Sequence, residues 1–429
     1  MTTLETALPN PIMGAFWARP QAEIESDLAT LRAVGQPTHH EIEIPEGIEL
    51  PPELDMLATG GTWVLTKMDQ ILEVSKNPHL YSSAQGITIL DTPPEFNEFF
   101  SSMIAMDDPR HARLRKLVSA GFTPKMLNQL QESVQDQAAM IVDEVSERGE
   151  CDFVVDVAAR LPLKIVCDLM AIPDSQLDFV FQQSNVILGA GDPEYAPAHG
   201  VDPLTSLLMA GGALAELMND VAATKEGTDA DDLTSLLVNA EVDGEKLTYG
   251  DIASFFILLV VAGNETTRNA ISWGLTYLTD NPDQRKIWAD DVEGVGPKAI
   301  EEIVRLASPV TYMRRTALED TELGGASIAA GDKVSMFYLA ANRDEDHFVD
   351  PYRFDVRRDP NNHVGFGGPG PHFCLGAHLA RREIFVMFRE LFERLPDIEA
   401  SGEPDPLESS FIHGVKHLPA TFTPVPSRR

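Results

Sequence analysis

One stretch limits the possible folds of this 429-residue chain more than any other: Tyr249 to Asp280, which reads as one long helix. Thr248 and Asp251 stand before it at capping-box spacing, and Asn281-Pro282 closes it. At ~1.5 Å per residue it spans on the order of 45 Å, the width of a domain. Its first half, Ile252 to Ala262, is apolar nearly all round. A helix without a polar face is covered on every side, so other helices must surround it. The composition allows this, with 43% hydrophobic and 23% charged residues, enough for a sizeable core and against global disorder.

Into this buried helix the sequence inserts Ala262-Gly263-Asn264-Glu265-Thr266-Thr267-Arg268-Asn269. An unpaired buried carboxylate costs several kcal/mol, and glycine costs roughly 1 kcal/mol more than alanine. Two such costs at mid-helix mark a site, unless Glu265 simply pairs with Arg268 or another cation.

A second stretch, Phe366-Gly-Gly-Pro-Gly-Pro-His-Phe-Cys374-Leu-Gly376, runs into a helical segment beginning at Ala377. Its glycines and prolines rule out regular structure and predict a stiff loop that something flat can approach closely. Cys374 then lies near the first turn of a helix, where unpaired N–H groups and the helix dipole favour a thiolate, a strong metal ligand. The competing reading is a buried structural thiol. Gly365-x-Gly367-x-x-Gly370 matches a dinucleotide fingerprint only nominally, because Pro369 and Pro371 stand where the phosphate-binding helix should start.

The formal net charge of −34 argues against nucleic acid or an anionic membrane as the general partner. Cysteines occur only at 151, 167 and 374, too scattered for a disulfide framework or a multi-cysteine zinc site, which fits a reducing compartment. No signal peptide or spanning segment is evident, so a cytoplasmic protein without a membrane anchor is expected.

Along the chain, Gln21 to Val34 is amphipathic, Gly61 to Thr66 reads as a strand and Met68 to Ser75 as a short helix. Ile87 to Met106 reads as an apolar loop, with packing onto the core an equal reading for each of its residues. Helical periodicity dominates from Gln129 to Val238, interrupted at Pro173 and by Gly189 to Pro203. Pro297 to Leu306 reads as a helix carrying Glu302 and Arg305, and Thr321 to Val334 as a hairpin with turn glycines.

The loop around Cys374 resembles the haem-binding loop of the cytochrome P-450 superfamily, usually written Phe-x-x-Gly-x-His/Arg-x-Cys-x-Gly. Gly370, His372, Cys374 and Gly376 match its spacing, and Phe366, one residue further from the cysteine, resembles a bacterial variant. Ala262 to Thr266 is similar to the family's oxygen-activation motif, His111-x-x-x-Arg115 to its propionate-binding pair, and Glu302-x-x-Arg305 to its core ion pair. These motifs stand in family order, and the resemblance covers essentially the whole chain.

The resemblance implies a mainly α fold with a smaller β-rich part, the cytochrome P-450 fold, as a single catalytic domain over residues 1–429. It implies haem b on Cys374, with Phe366, His372, Gly376 and Gly263 beside it, and propionates bound by His111, Arg115 and Arg315, or Arg314 in its place. Glu265 and Thr266 become the catalytic acid and alcohol, and Arg358, or Arg357, closes the structural network of Glu302 and Arg305.

The implied activity is monooxygenation of an unactivated C–H bond with O2 and two electrons. A peroxide-driven oxygenase and a non-catalytic haem sensor are the alternatives. With no flavin or nicotinamide domain on this chain, the electrons come from an iron–sulfur ferredoxin and its reductase. Arg110, Arg113, Lys116, Lys125, Arg381 and Arg382 are expected to form the docking face. Local stretches resemble actinobacterial oxidases of branched lipids and sterol side chains and, less closely, terpene-alcohol hydroxylases. The substrate is therefore expected to be large and apolar, in a pocket drawn from Ile89, Phe96, Met106, Leu259, Val260, Val310, Met313 and Phe411.

Overall fold

The computed structural model describes residues 8–42, 60–119, 124–189, 192–195, 203–228, 230, 232–242 and 245–428. The helix predicted from Tyr249 to Asp280 is its axis: Tyr249–Leu259, a π-turn Val260–Asn264, and Glu265–Asp280. The Thr248 side chain accepts from the Asp251 N–H and the Asp251 carboxylate from the Thr248 N–H, completing the capping box. Phe255, Phe256 and Ile257 are buried, as a helix with no polar face requires. The π-turn was not expected. It falls where Gly263 lacks a side chain and where Thr266 Oγ1 donates to the Ala262 carbonyl at 2.6 Å, both of which loosen the regular ladder.

Around this axis pack Pro94–Ser101, Arg160–Leu169, Pro203–Lys225, Val292–Ala307 and Ala377–Arg394. The residues between Ile87 and Met106 are thus not all loop: Pro94–Ser101 is helical, with proline at its start, and Ser102–Ala105 continues as a 3-10 turn. Helix Val292–Ala307 starts earlier than predicted. The Asp291 side chain caps it by accepting from the Gly294 N–H, and Pro297 is carried inside. The interruption between Leu177–Leu188 and Pro203–Lys225 falls partly outside the described residues.

The largest sheet has five strands in the order Thr38–His40, Thr62–Leu65, Lys333–Phe337, Tyr312–Ala317, Tyr81–Ser82. Lys333–Phe337 runs parallel to Thr62–Leu65 and antiparallel to Tyr312–Ala317, with Val334 opposite Arg315. Alternation along Tyr312–Ala317 therefore sends Met313 and Arg315 to one face and Arg314 to the other. Thr321–Leu323 and Ala326–Ile328 form the expected hairpin. Among the described residues no helix is long and apolar enough to cross a membrane.

Candidate active site

Cys374 lies two residues before Gly376, the N-cap of helix Ala377–Arg394. Its N–H donates to the Phe366 carbonyl at 3.0 Å, which folds the loop back on itself. Gly367 takes φ +82°, and a Cβ on Gly370 would run into the Ser75 carbonyl of helix Met68–Lys76. The glycines are there because the loop lies flat on that helix. Burial pushes the Cys374 thiol up, while the Gly376 N–H and the Arg115 and Arg381 charges pull it down. In the protein alone burial outweighs these at Cys374, and a cation held at the sulfur would favour the thiolate.

Cys374 opens into a cavity with about 1470 Å³ of empty space, solvent at its mouth included. The cavity brings together His111, Arg115, Gly263, Thr266, Arg315, Phe366, His372 and Gly376, and the expected pocket residues Leu259, Val310 and Met313. Ile89, Phe96, Met106, Val260 and Phe411 do not line it. Ile89 packs in a second core beside Tyr312 and Phe337, Phe411 lies edge-on to Tyr312, and Val260 is buried in the main core. Phe96 packs at a tilt against Phe100, and Met106 is buried beside a separate surface cleft. Met103, Ile104, Val166, Leu169 and Phe255 supply the apolar wall instead.

One part of the wall is cationic. Arg315 is 6% exposed and, among the described residues, donates only to the neighbouring Arg314 carbonyl, at 2.7 Å. Arg314, on the opposite strand face, is held by Asp91 at 2.7 Å. Arg115 donates to the Phe373 carbonyl at 2.7 Å. The rings of His111 and His372 lie 4.2 Å apart, and buried His111 Nε2 has no partner among the described residues. Burial, then the charges of Arg315, His111 and Arg115, push His372 down to about 2, so it is neutral. Glu383 is the only carboxylate among the described residues lining the cavity. Buried Arg315, in no ion pair among the described residues, and an orphaned imidazole nitrogen fit a ligand that brings its own anionic groups.

Thr266 faces the cavity, but Glu265 does not: it is fully buried in an ion pair with Arg268, whose Nη1 also donates to Asn185 Oδ1 at 3.2 Å. Gly263 has a packing reason besides facing the cavity, since a Cβ there would press on Val166 Cγ2 at 2.9 Å. Glu383 escaped the sequence reading. Hydrogen-bonded to Thr267 and pushed up by burial to about 8, it belongs to the inward stripe Ala380, Glu383, Ile384, Met387. A glutamate on an apolar stripe was the available signal.

Glu302, away from the cavity, accepts from Arg305 Nε at 2.8 Å and from Arg358 Nε at 3.0 Å, and it is Arg358, not exposed Arg357, that reaches it.

A helical bundle around a π-turned axial helix, with a cysteine loop facing its threonine across one apolar cavity, defines a class, and the comparisons agree with it. The chain belongs to the cytochrome P450 family, whose pattern matches residues 211–294 and 296–417, and it is a P450 monooxygenase. It is 48% identical to the methyl-branched lipid omega-hydroxylase of Mycobacterium tuberculosis over 95% of this chain and 93% of that one. To the steroid C26-monooxygenase of Rhodococcus jostii it is 40% identical, over 87% and 78% of the two chains. A Mycobacterium marinum cytochrome P450 solved with pseudoionone superposes with a TM-score of 0.88 at 41% identity, covering 97% of this chain and 100% of that one.

Proposed function

We propose that residues 1–429 form one cytoplasmic catalytic unit that binds haem b through Cys374 and hydroxylates the chain end of a methyl-branched lipid or a steroid side chain. The observation that supports it most is the single cavity shared by Cys374, Thr266, an apolar wall and buried Arg315. His111, Arg115, Arg315 and His372 would hold the haem propionates, and Phe366, Gly376 and Gly263 would flank the ring. Haem, when bound, supplies the reductive activation of dioxygen, favoured by thiolate ligation.

The chain's own residues do the rest. Leu259, Val310, Met313 and the walls they share orient an apolar substrate and exclude water. The Thr266 hydroxyl, donating to the Ala262 carbonyl, holds a proton at the cavity surface. Glu265 is the acid behind it, and reaches the cavity only by leaving Arg268. Overall, substrate C–H, O2, two electrons and two protons give an alcohol and water. Names borne by two relatives, omega-hydroxylase and C26-monooxygenase, support oxidation at a chain end.

Electrons are proposed to come from a ferredoxin and its reductase, docking on the face expected from Arg110, Arg113, Lys116, Lys125, Arg381 and Arg382. Lys116 is exposed, but Arg110 is paired with Glu98 and Arg381 with Glu301, and the Lys125 side chain lies outside the described residues.

The test is an absorbance titration of ferric protein with methyl-branched lipids, steroids, terpenoids and small aromatics, followed by product analysis. A low- to high-spin shift with one of the first two classes and a terminal alcohol as product is expected. A shift confined to terpenoids or small aromatics would overturn the substrate class, and absence of haem after haem-supplemented expression would overturn the whole reading.

A further inference from the structure

Glu301 and Glu302 stand side by side on helix Val292–Ala307 and hold different parts of the chain. Glu302 closes the network with Arg305 and Arg358. Glu301 turns toward the cysteine loop. Its Oε1 accepts from Arg381 Nε at 2.5 Å, and its Oε2 accepts from Arg381 Nη2 at 3.0 Å. Oε2 is also 2.9 Å from His363 Nε2. The Gly365 N–H donates to His363 Nδ1 at 3.0 Å, so the imidazole proton sits on Nε2 and is aimed at Glu301. One carboxylate thus grips the chain before the loop, at His363, and after it, at Arg381.

Phe366 lies between these grips. The Arg381 guanidinium carbon is 4.3 Å over its ring, and the His363 ring centre is 5.9 Å from it. The Phe366 carbonyl accepts the Cys374 N–H. At Gly365 a Cβ would lie 2.9 Å from the Val304 carbonyl, so the loop begins in direct contact with the helix that carries Glu301. Burial favours a protonated Glu301, yet the His363 and Arg381 hydrogen bonds bring its carboxyl down to about 2.

We propose that Glu301 is a positioning residue for the iron-ligating loop: through His363 and Arg381 it fixes Phe366 and the Cys374 amide, and by neutralising Arg381 it sets the field at the sulfur. The proposal rests on Cys374 being the haem ligand. Its chemical content is a sign. A cation near the sulfur stabilises the reduced, more negative iron–thiolate unit, and a carboxylate paired with that cation weakens the effect.

The test measures the ferric/ferrous potential of the haem-loaded protein, with hydrogen exchange of the Gly365 and Cys374 amides. Glu301→Gln leaves the Arg381 charge unneutralised and is expected to raise the potential. Arg381→Ala is expected to lower it, and the double variant to return toward the wild-type value. In Glu301→Gln both amides should exchange about tenfold faster, the loss of one hydrogen-bond anchor. Shifts of the same sign in the two single variants, or no shift with only a lower Tm, would reduce Glu301 to a structural role. If Glu301→Gln does not fold, the potential of Arg381→Ala decides, and an unchanged value overturns the proposal. Cys374→Ser checks the underlying reading separately, because retention of the wild-type haem spectrum in that variant would remove Cys374 as the ligand.

Discussion

Glu265 and Arg268, one helical turn apart on the axial helix, form a buried ion pair that holds the Glu265 carboxylate away from the cavity its neighbour Thr266 faces. Glu265 is 0% and Arg268 2% exposed, and Glu265 Oε1 has no partner among the described residues. Removing one member of such a pair leaves a charge that nothing else compensates. Arg268→Ala is therefore expected to cost about 3–5 kcal/mol in urea unfolding. Burial already raises the Glu265 carboxyl, and without Arg268 the folded protein binds a proton that the unfolded chain does not. The loss should accordingly be smaller at pH 5 than at pH 8. An equal loss at both would mean that Glu265 finds another cation.

Thr266→Ala removes one hydrogen bond, from Oγ1 to the Ala262 carbonyl, and should change stability by only about 1 kcal/mol. Its effect is expected on coupling: electrons consumed per product should rise, with peroxide released. Measuring reductant consumption against product decides, and intact coupling would remove Thr266 from the proton route.

Glu383 gives the apoprotein a defined pH dependence. Its carboxyl is raised to about 8 from an ordinary 4.5, so between these values the folded state binds more protons than the unfolded state. Stability contributed by this group is present below the lower value and declines as pH rises through the window. Glu383→Gln should raise Tm more at pH 8 than at pH 5. The same Tm increment at both would show that Glu383 is not the titrating group.

Glu302 gathers Arg305, Arg358, the Asp355 N–H and the Asn361 amide, while Arg305 also donates to the Asn342 and Pro351 carbonyls at 2.7 Å. Glu302→Ala leaves buried Arg305 uncompensated and is expected to cost about 3–5 kcal/mol or abolish haem-loaded protein in expression trials. Arg357→Ala, at an exposed position, should change stability by less than about 0.5 kcal/mol. Comparable losses in both would contradict the network.

Local chemistry was legible in the sequence. The capping pair Thr248 and Asp251, the apolar run Ile252 to Ala262 and the glycines before Cys374 each act within a few residues of themselves, and their consequences are where the pattern puts them. The proline at 297 was misread as a boundary because the Asp291 cap, six residues earlier, already supplies the helix start.

Partners that come from remote parts of the chain were not legible. Periodicity states that Arg314 and Arg315 face opposite ways, but only the tertiary structure places the Asp91 carboxylate on one side and the cavity on the other, and so decides which of the two is in an ion pair among the described residues. Ile89 and Phe411 have the side chains of a pocket and sit in a core, because Tyr312 and Phe337 close around them. Glu265 has the position of a catalytic acid and is held by Arg268, while Glu383, in no ion pair among the described residues, faces the cavity. The sequence determined the class of chemistry, through residue types at fixed local spacings. Tertiary structure alone decided which charges are compensated, because in a buried environment that depends on groups brought within a few ångströms from far along the chain.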